Sequence, residues 1–267
     1  MEITNVCILG AGTLGSRIAL QAALSGYSVR VYDIHAGALE SSKKVMAKIL
    51  RQLSLPPEAL DSILFTTDPA EAVANADIIS ESVTEDLALK RKVWAQFGAL
   101  APEKTIFTTN TSYLLPSQLA DASGRPTRFC AFHFHDVFYS KVVDIMPHPG
   151  TDSELEMILM EFGRRLEQVP VVVRKENHGY IFNAMLLAFI GAAGKLRTKE
   201  VASIEDIDKS WMVNFHMPMG PFGIIDSIGL DTAWHVTHGL EDAASQAFAA
   251  LLKSYIDQGK LGEKSGE

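Results

Sequence analysis

Apolar and polar positions follow two different regimes along this chain, and the change between them divides it. Up to about residue 173, short β-rich runs alternate with segments of helical spacing. The strand Asn5–Leu9 leads into a helix over 16–25, where Leu14, Ile18 and Ala22 recur on one face and Gly26 supplies the stop; the strand Ser28–Tyr32 follows. Further helices are expected at 39–53, 70–76 and 87–100, and further strands at 64–67, 78–79, 105–108, 142–145 and 169–173, with another inside 130–136. From residue 177 the strand signals stop, and four helices are expected over 179–195, 204–213, 222–237 and 243–257. Strands alternating with helices favour a parallel sheet covered on both faces. The expectation is an α/β fold: a doubly wound, mostly parallel sheet over 1–176, and an all-helical domain over 177–267.

Composition narrows the class without changing that picture. The 267 residues are 47% hydrophobic and 21% charged, ordinary for a globular enzyme with a sizeable core. A net charge of −8 argues against nucleic acid or an acidic membrane as a partner. The two cysteines, Cys7 and Cys130, fall in apolar runs and read as small buried hydrophobes of a reducing compartment. No targeting segment is evident, so a cytoplasmic location is expected. The apolar stretch 180–193 is shorter than the roughly 20 residues that span a bilayer, and suits a buried helix at a subunit interface.

The first strand–helix junction carries the first chemistry. Gly10-Ala-Gly12-Thr13-Leu14-Gly15 is a GxGxxG loop between a strand and a helix, inside one βαβ unit. Gly10 permits the tight turn, Gly12 lets the backbone approach a pyrophosphate, and Gly15 lets helix and strand pack closely. The amides that open the helix favour a bound anion. Asp33, at the end of the second strand, suits the two ribose hydroxyls of an adenosine and would repel a 2′-phosphate. The cofactor expected on this Rossmann-type unit is NAD.

Polar groups then recur at strand ends, where ligands of open α/β sheets sit: Glu81 and Glu85, Asn110-Thr111-Ser112, and His133. In Cys130-Ala-Phe-His133-Phe-His135-Asp136 the two imidazoles share one strand face and Phe132 and Phe134 the other. Imidazole titrates near neutral pH and suits proton transfer.

The motifs together resemble the 3-hydroxyacyl-CoA dehydrogenases. GAGTLGSRIA is similar to that family's opening loop, ESVTEDLALK to its ExxxEDLxxK segment and TNTSYL to its NTSS stretch. AFHFHD falls where the family has HFFNP, HGYIFN resembles PGFxxN, and MGPFGIIDSIGLDT is similar to MGPFxxxDxxGLD. The tail 262–267 resembles the start of GxKxGEGFY. The resemblance implies hydride transfer between C3 of an (S)-3-hydroxyacyl thioester and NAD, within fatty-acid metabolism, in a homodimer joined through the helical domain. It makes His133 the general base and pairs Glu85 with it as the carboxylate that fixes the tautomer. Ser112 and Asn183 would hold the substrate oxygen. Lys90 and Lys264 would approach the cofactor, and Glu85, Asn110, Ser112 and Asp136 join the loop residues as cofactor contacts.

Two departures from the family pattern open other readings. Asp136 and His135 stand where the family has Asn and Phe, and a carboxylate near His133 would raise the pKa of the base and alter the pH optimum or substrate. The link from Leu50 to Phe65 lacks the lysine-rich hairpin that grips CoA phosphates in the family, so a small free hydroxy acid of the carnitine or gulonate type is an alternative substrate. Outside this class stand a metal-dependent hydrolase using His133, His135 and Asp136, and an NAD-binding protein without turnover.

Overall fold

The structure, a computed structural model, describes residues 2–266; Glu267, the last residue of the tail motif, lies outside the described residues. It divides into two compact units, Met1–Ile181 and Phe182–Glu267.

The first unit is built on eight strands: β1 (Asn5–Leu9), β2 (Ser28–Tyr32), β3 (Ile63–Thr66), β4 (Ile78–Glu81), β5 (Ile106–Thr109), β6 (Phe129–Phe134), β7 (Val142–Pro147) and β8 (Val169–Val172). Their order across the sheet is β3-β2-β1-β4-β5-β6-β7-β8. Every neighbouring pair is parallel except β6 and β7. Because β2 and β4 flank β1, the direction of winding reverses there, which opens a crevice at the strand C-termini. Alternate residues of β1 enter separate cores. Val6 and Ile8 pack with Ile18, Met46 and Phe162, whereas Cys7 and Leu9 pack with Val73, Trp94 and Phe107. That two-sided burial is why the strands read as nearly continuous apolar runs.

The crossovers are α1 (Thr13–Leu24), α2 (Ala36–Gln52), α3 (Pro69–Val73) and α4 (Leu87–Leu100), the last capped by the Asp86 carboxylate at 2.7 Å from the Leu89 amide. A helix not expected from the sequence, α5 (Glu154–Arg165), follows β7. Leu155, Leu159 and Phe162 recur at helical spacing and are buried against the sheet, with Ile158 and Met160 partly buried beside them.

In the second unit the helices are α6 (Phe182–Thr198), α7 (Ile204–Phe215), α8 (Pro221–Ile228), α9 (Leu230–Thr237) and α10 (Ala243–Ile256). The first begins later than its hydrophobicity suggests, since Gly179 and Tyr180 hold left-handed φ values of 76° and 54°. The single helix expected over 222–237 is two, broken at Gly229 with φ 100°. Gly194 lets α6 meet α10 closely, as an added Cβ would lie 2.4 Å from the Phe248 ring. Among the described residues no helix is long and apolar enough to cross a membrane.

Candidate active site

The glycine loop is shaped by contact on two sides and left open on the third. An added Cβ at Gly10, whose φ is 100°, would stand 2.7 Å from the Ser82 carbonyl oxygen, and at Gly15 it would stand 2.0 Å from that of Gly10. At Gly12 it would meet nothing within 4 Å. Gly12 caps α1 without a side-chain acceptor, so the first-turn amides, Thr13 and Leu14 among them, have no intrahelical partner. Beside the loop is a cavity of about 590 Å³ lined by Gly10, Gly12, Asp33, Ile34, Ser82 and Val83. The Asp33 carboxylate is fixed by the amides of Ala11 and His35, both at 2.9 Å. Among the described residues the Ser82 hydroxyl, itself buried, finds no hydrogen-bond partner. An open backbone approach, unpaired amides and an unsatisfied hydroxyl around one cavity fit the dinucleotide expected from the sequence. Gly10, Gly12, Thr13, Leu14, Gly15 and Asp33 would hold it.

Lys90, expected to approach the cofactor, is closed onto acids of its own unit. It is 1% exposed, and its ammonium is bound by Glu81 at 2.5 Å, the Val83 carbonyl at 3.1 Å and Glu85 at 3.4 Å. The Glu81 and Val83 oxygens accept hydrogen bonds from it, and Glu85 adds an ion pair. Glu81, fully buried, also accepts from Thr109 Oγ1 at 2.7 Å and the Val83 amide at 2.8 Å. The pair ties the end of β4 to the start of α4.

His133 stands near the end of β6, directly across the antiparallel ladder from Asp144 on β7. Its Nδ1 lies 3.5 Å from Asp144 Oδ2, and its Nε2 lies 3.2 Å from Ser112 Oγ. With Nδ1–H turned to a carboxylate, Nε2 carries the lone pair, and the Ser112 hydroxyl donates to it. The ring also stacks on Tyr180 at 4.8 Å, and the Tyr180 hydroxyl is tied to the Thr111 carbonyl at 2.7 Å. Burial pushes the His133 pKa below the ordinary imidazole range, while its bond to Asp144 acts in the opposite direction. The Asp144 carboxyl is held below its usual range: burial opposes this, and the hydrogen bonds from the two imidazoles outweigh it.

The structure therefore corrects the expected partner of the base. Glu85 binds Thr111 Oγ1, the Tyr113 amide and Lys90, and orders the loop after β5. Asp144 takes the position at the far imidazole nitrogen. A signal for it was present: an acid inside the apolar run Val142-Val-Asp-Ile, in a strand that pairs with the histidine strand. What the sequence could not supply was the register.

Asp136 is also corrected. One of its oxygens is paired with Arg17 of α1, and the other accepts the amides of Phe138 at 3.0 Å and Tyr139 at 2.9 Å. Its charge is neutralised within the turn that joins β6 to β7, so it offers His133 no free carboxylate. His135 bonds Asp144 Oδ2 through Nε2 at 2.7 Å. Of the proposed metal set, His133 and His135 gather around Asp144, with one ligand-type atom of each within 4.8 Å of the others, while Asp136 faces Arg17. Hydrogen bonding among the three accounts for their proximity.

The Asn110 carboxamide oxygen accepts the Phe134 amide at 2.7 Å and braces the ends of β5 and β6. Lys264, expected to approach the cofactor, is paired within the helical unit with Asp231 at 2.7 Å and Thr232 at 3.1 Å. Asn183 lies half-buried in the first turn of α6. Cys7 and Cys130 are free and buried, and burial raises the Cys7 thiol to about 12.

Comparison with known proteins identifies the family of the chain. Residues 5–177 match the NAD-binding domain of the 3-hydroxyacyl-CoA dehydrogenases, and residues 179–267 match the C-terminal domain of the same family. The mitochondrial hydroxyacyl-coenzyme A dehydrogenase of Sus scrofa is 31% identical over 99% of this chain and 90% of its own. A solved (S)-3-hydroxybutyryl-CoA dehydrogenase of Ralstonia eutropha superposes with a TM-score of 0.85 at 28% identity, over 100% of this chain and 98% of that one. A diketoreductase, solved in work on its dual catalysis of dicarbonyl compounds, gives a TM-score of 0.96 at 40% identity, over 100% and 98% of the two chains. This chain belongs to the 3-hydroxyacyl-CoA dehydrogenase family and is an NAD-dependent oxidoreductase.

Proposed function

We propose that His133 is the base of a reversible oxidation at C3 of a 3-hydroxyacyl thioester. The observation that carries this reading is the cross-strand pair of His133 and Asp144, with Ser112 on the opposite ring nitrogen. In the oxidation direction the substrate hydroxyl replaces Ser112 as the partner of Nε2 and gives up its proton there. Asp144 stabilises the imidazolium that forms, and Tyr180 holds the plane of the ring. The Ser112 hydroxyl, released from Nε2, donates to the substrate oxygen as it becomes a carbonyl. Bound NAD supplies the hydride acceptor. The expectation that Asn183 also meets the substrate oxygen rests on the family resemblance alone.

A second reading, reduction of a small dicarbonyl compound or oxidation of a free hydroxy acid, is favoured by the connection between α2 and β3. After Arg51 that connection holds only a 3₁₀ turn, Pro57–Ala59, where the family carries its CoA-binding hairpin. The 40% identity to the diketoreductase points the same way. A panel of 3-hydroxybutyryl-CoA, free 3-hydroxy acids and small dicarbonyl compounds, followed at the nicotinamide absorbance with His133→Ala as the control, separates the two. Turnover of the thioester alone supports the first reading, and turnover of the free acids or the dicarbonyl compounds without the thioester supports the second. Undiminished turnover by His133→Ala would remove the base.

Self-association through the helical unit is supported by its exposed apolar side chains, Met185, Val213, Phe215 and Met217 among them. Sedimentation of the wild type beside Phe215→Glu tests it. Two free buried cysteines fit a reducing compartment such as the cytoplasm.

A further inference from the structure

We infer that His135 is a positioning residue for the proposed base: it holds the Asp144 carboxylate and shares it with His133, so that the pH range of catalysis depends on both imidazoles. The inference rests on the reading of His133 as the base. Its ground is a geometry in which one carboxylate oxygen serves two rings. Asp144 Oδ2 is 2.7 Å from His135 Nε2 and 3.5 Å from His133 Nδ1, so the imidazole outside the reaction holds the carboxylate more tightly than the base does. The rings of His133 and His135 meet edge to face at 4.8 Å. Asp144 is only 1% exposed, which leaves these imidazoles as the main donors to it.

Two consequences for His133 have the same sign. A proton on His135 places a second positive charge beside the ring that must become imidazolium, and like charges oppose one another. The shorter bond also draws the carboxylate away from Nδ1. Both weaken His133 as a base, and the field of His135 does act downward on its pKa, after burial and against the bond to Asp144. The other charged groups facing the pair are already engaged. Glu85, on the loop after β4, acts weakly upward on His133 and is bound to Lys90. Glu81 is closed onto Lys90. Asp136 is closed onto Arg17 of α1. Tyr180, packed on the other face, is kept neutral by burial, which raises its pKa well above the ordinary value.

His135→Phe keeps an aromatic ring and removes both the charge and the competition for Asp144. The base should strengthen, moving the acid limb of the kcat/KM profile for oxidation upward by about half a pH unit or more. His135→Gln, a neutral donor that can still hold Asp144, should recover most of any loss in kcat. The His133 imidazole resonances should titrate at higher pH in His135→Phe than in the wild type. NADH affinity and thermal midpoint, unchanged in both variants, would show that the fold is intact. A His135→Phe profile superimposable on the wild type, with an unmoved His133 titration, would overturn the inference. The His133→Ala control tests the underlying reading separately: if it retains turnover, the base is wrong, and if it is inert while His135→Phe is unshifted, only the inference about His135 fails.

Discussion

Replacing Asp144 by Asn separates the carboxylate that the structure places beside the base from the one the sequence suggested. The amide keeps the shape and an acceptor oxygen for both imidazoles but removes the charge. A hydrogen bond to a charged group contributes about 1.5–3 kcal/mol net, and each 1.4 kcal/mol of barrier is a factor of about ten in rate. That range corresponds to a loss of roughly 10- to 150-fold in kcat. The His133–Asp144 distance of 3.5 Å is at the long end for a hydrogen bond, which puts the expected value in the lower half of the range. The sign of the pH effect is also fixed. Asp144 acts upward on the His133 pKa, against the larger downward effect of burial, so the Asp144→Asn variant has a weaker base and its acid limb for oxidation moves to lower pH. Steady-state oxidation between about pH 5 and 10, with NADH binding followed by nucleotide fluorescence, reads both effects. Glu85→Gln is the matched control. Glu85 is among the weaker influences on His133, so its variant should shift the acid limb less than Asp144→Asn does. A larger loss and a larger shift in Glu85→Gln than in Asp144→Asn, at equal NADH affinity, would refute the assignment.

Three further outcomes follow from the packing. Lys90→Met leaves the fully buried Glu81 without its cation, so urea unfolding should show about 3–5 kcal/mol of destabilisation, with partial recovery in the Glu81→Gln/Lys90→Met double variant. Gly15→Ala sets a Cβ against the Gly10 carbonyl and should cost about 1–3 kcal/mol by overpacking, with NADH affinity reduced tenfold or more because the cradle itself must shift. Asp136→Asn should change stability by less than about 1 kcal/mol, since its ion pair with Arg17 is partly exposed, and should leave the pH profile in place. A displaced profile would restore the idea that this residue tunes the base.

The sequence by itself determined the nucleotide cradle and the order of elements, apart from α5 and the break at Gly229. Both follow from local rules: the period of apolar residues, and glycines at spacings that permit a tight turn and a close backbone approach. It also named His133 and Ser112, because strand ends collect polar groups in this class of sheet. Tertiary structure decided the partners. The family resemblance pairs Glu85 with His133, yet its carboxylate closes onto Thr111, Tyr113 and Lys90. Asp144 reaches His133 only because β7 turns back antiparallel in the register that sets the two residues opposite each other. Hydrogen-bond partners depend on register and side-chain direction across separate elements, and a one-residue slip would turn Asp144 to the opposite face. The same limit hid Arg17, which is 119 positions from the carboxylate it neutralises, and the burial of Lys90, whose helix position alone reads as solvated. Periodicity is a property of neighbours along the chain, whereas charge pairing inside a fold is a property of neighbours in space.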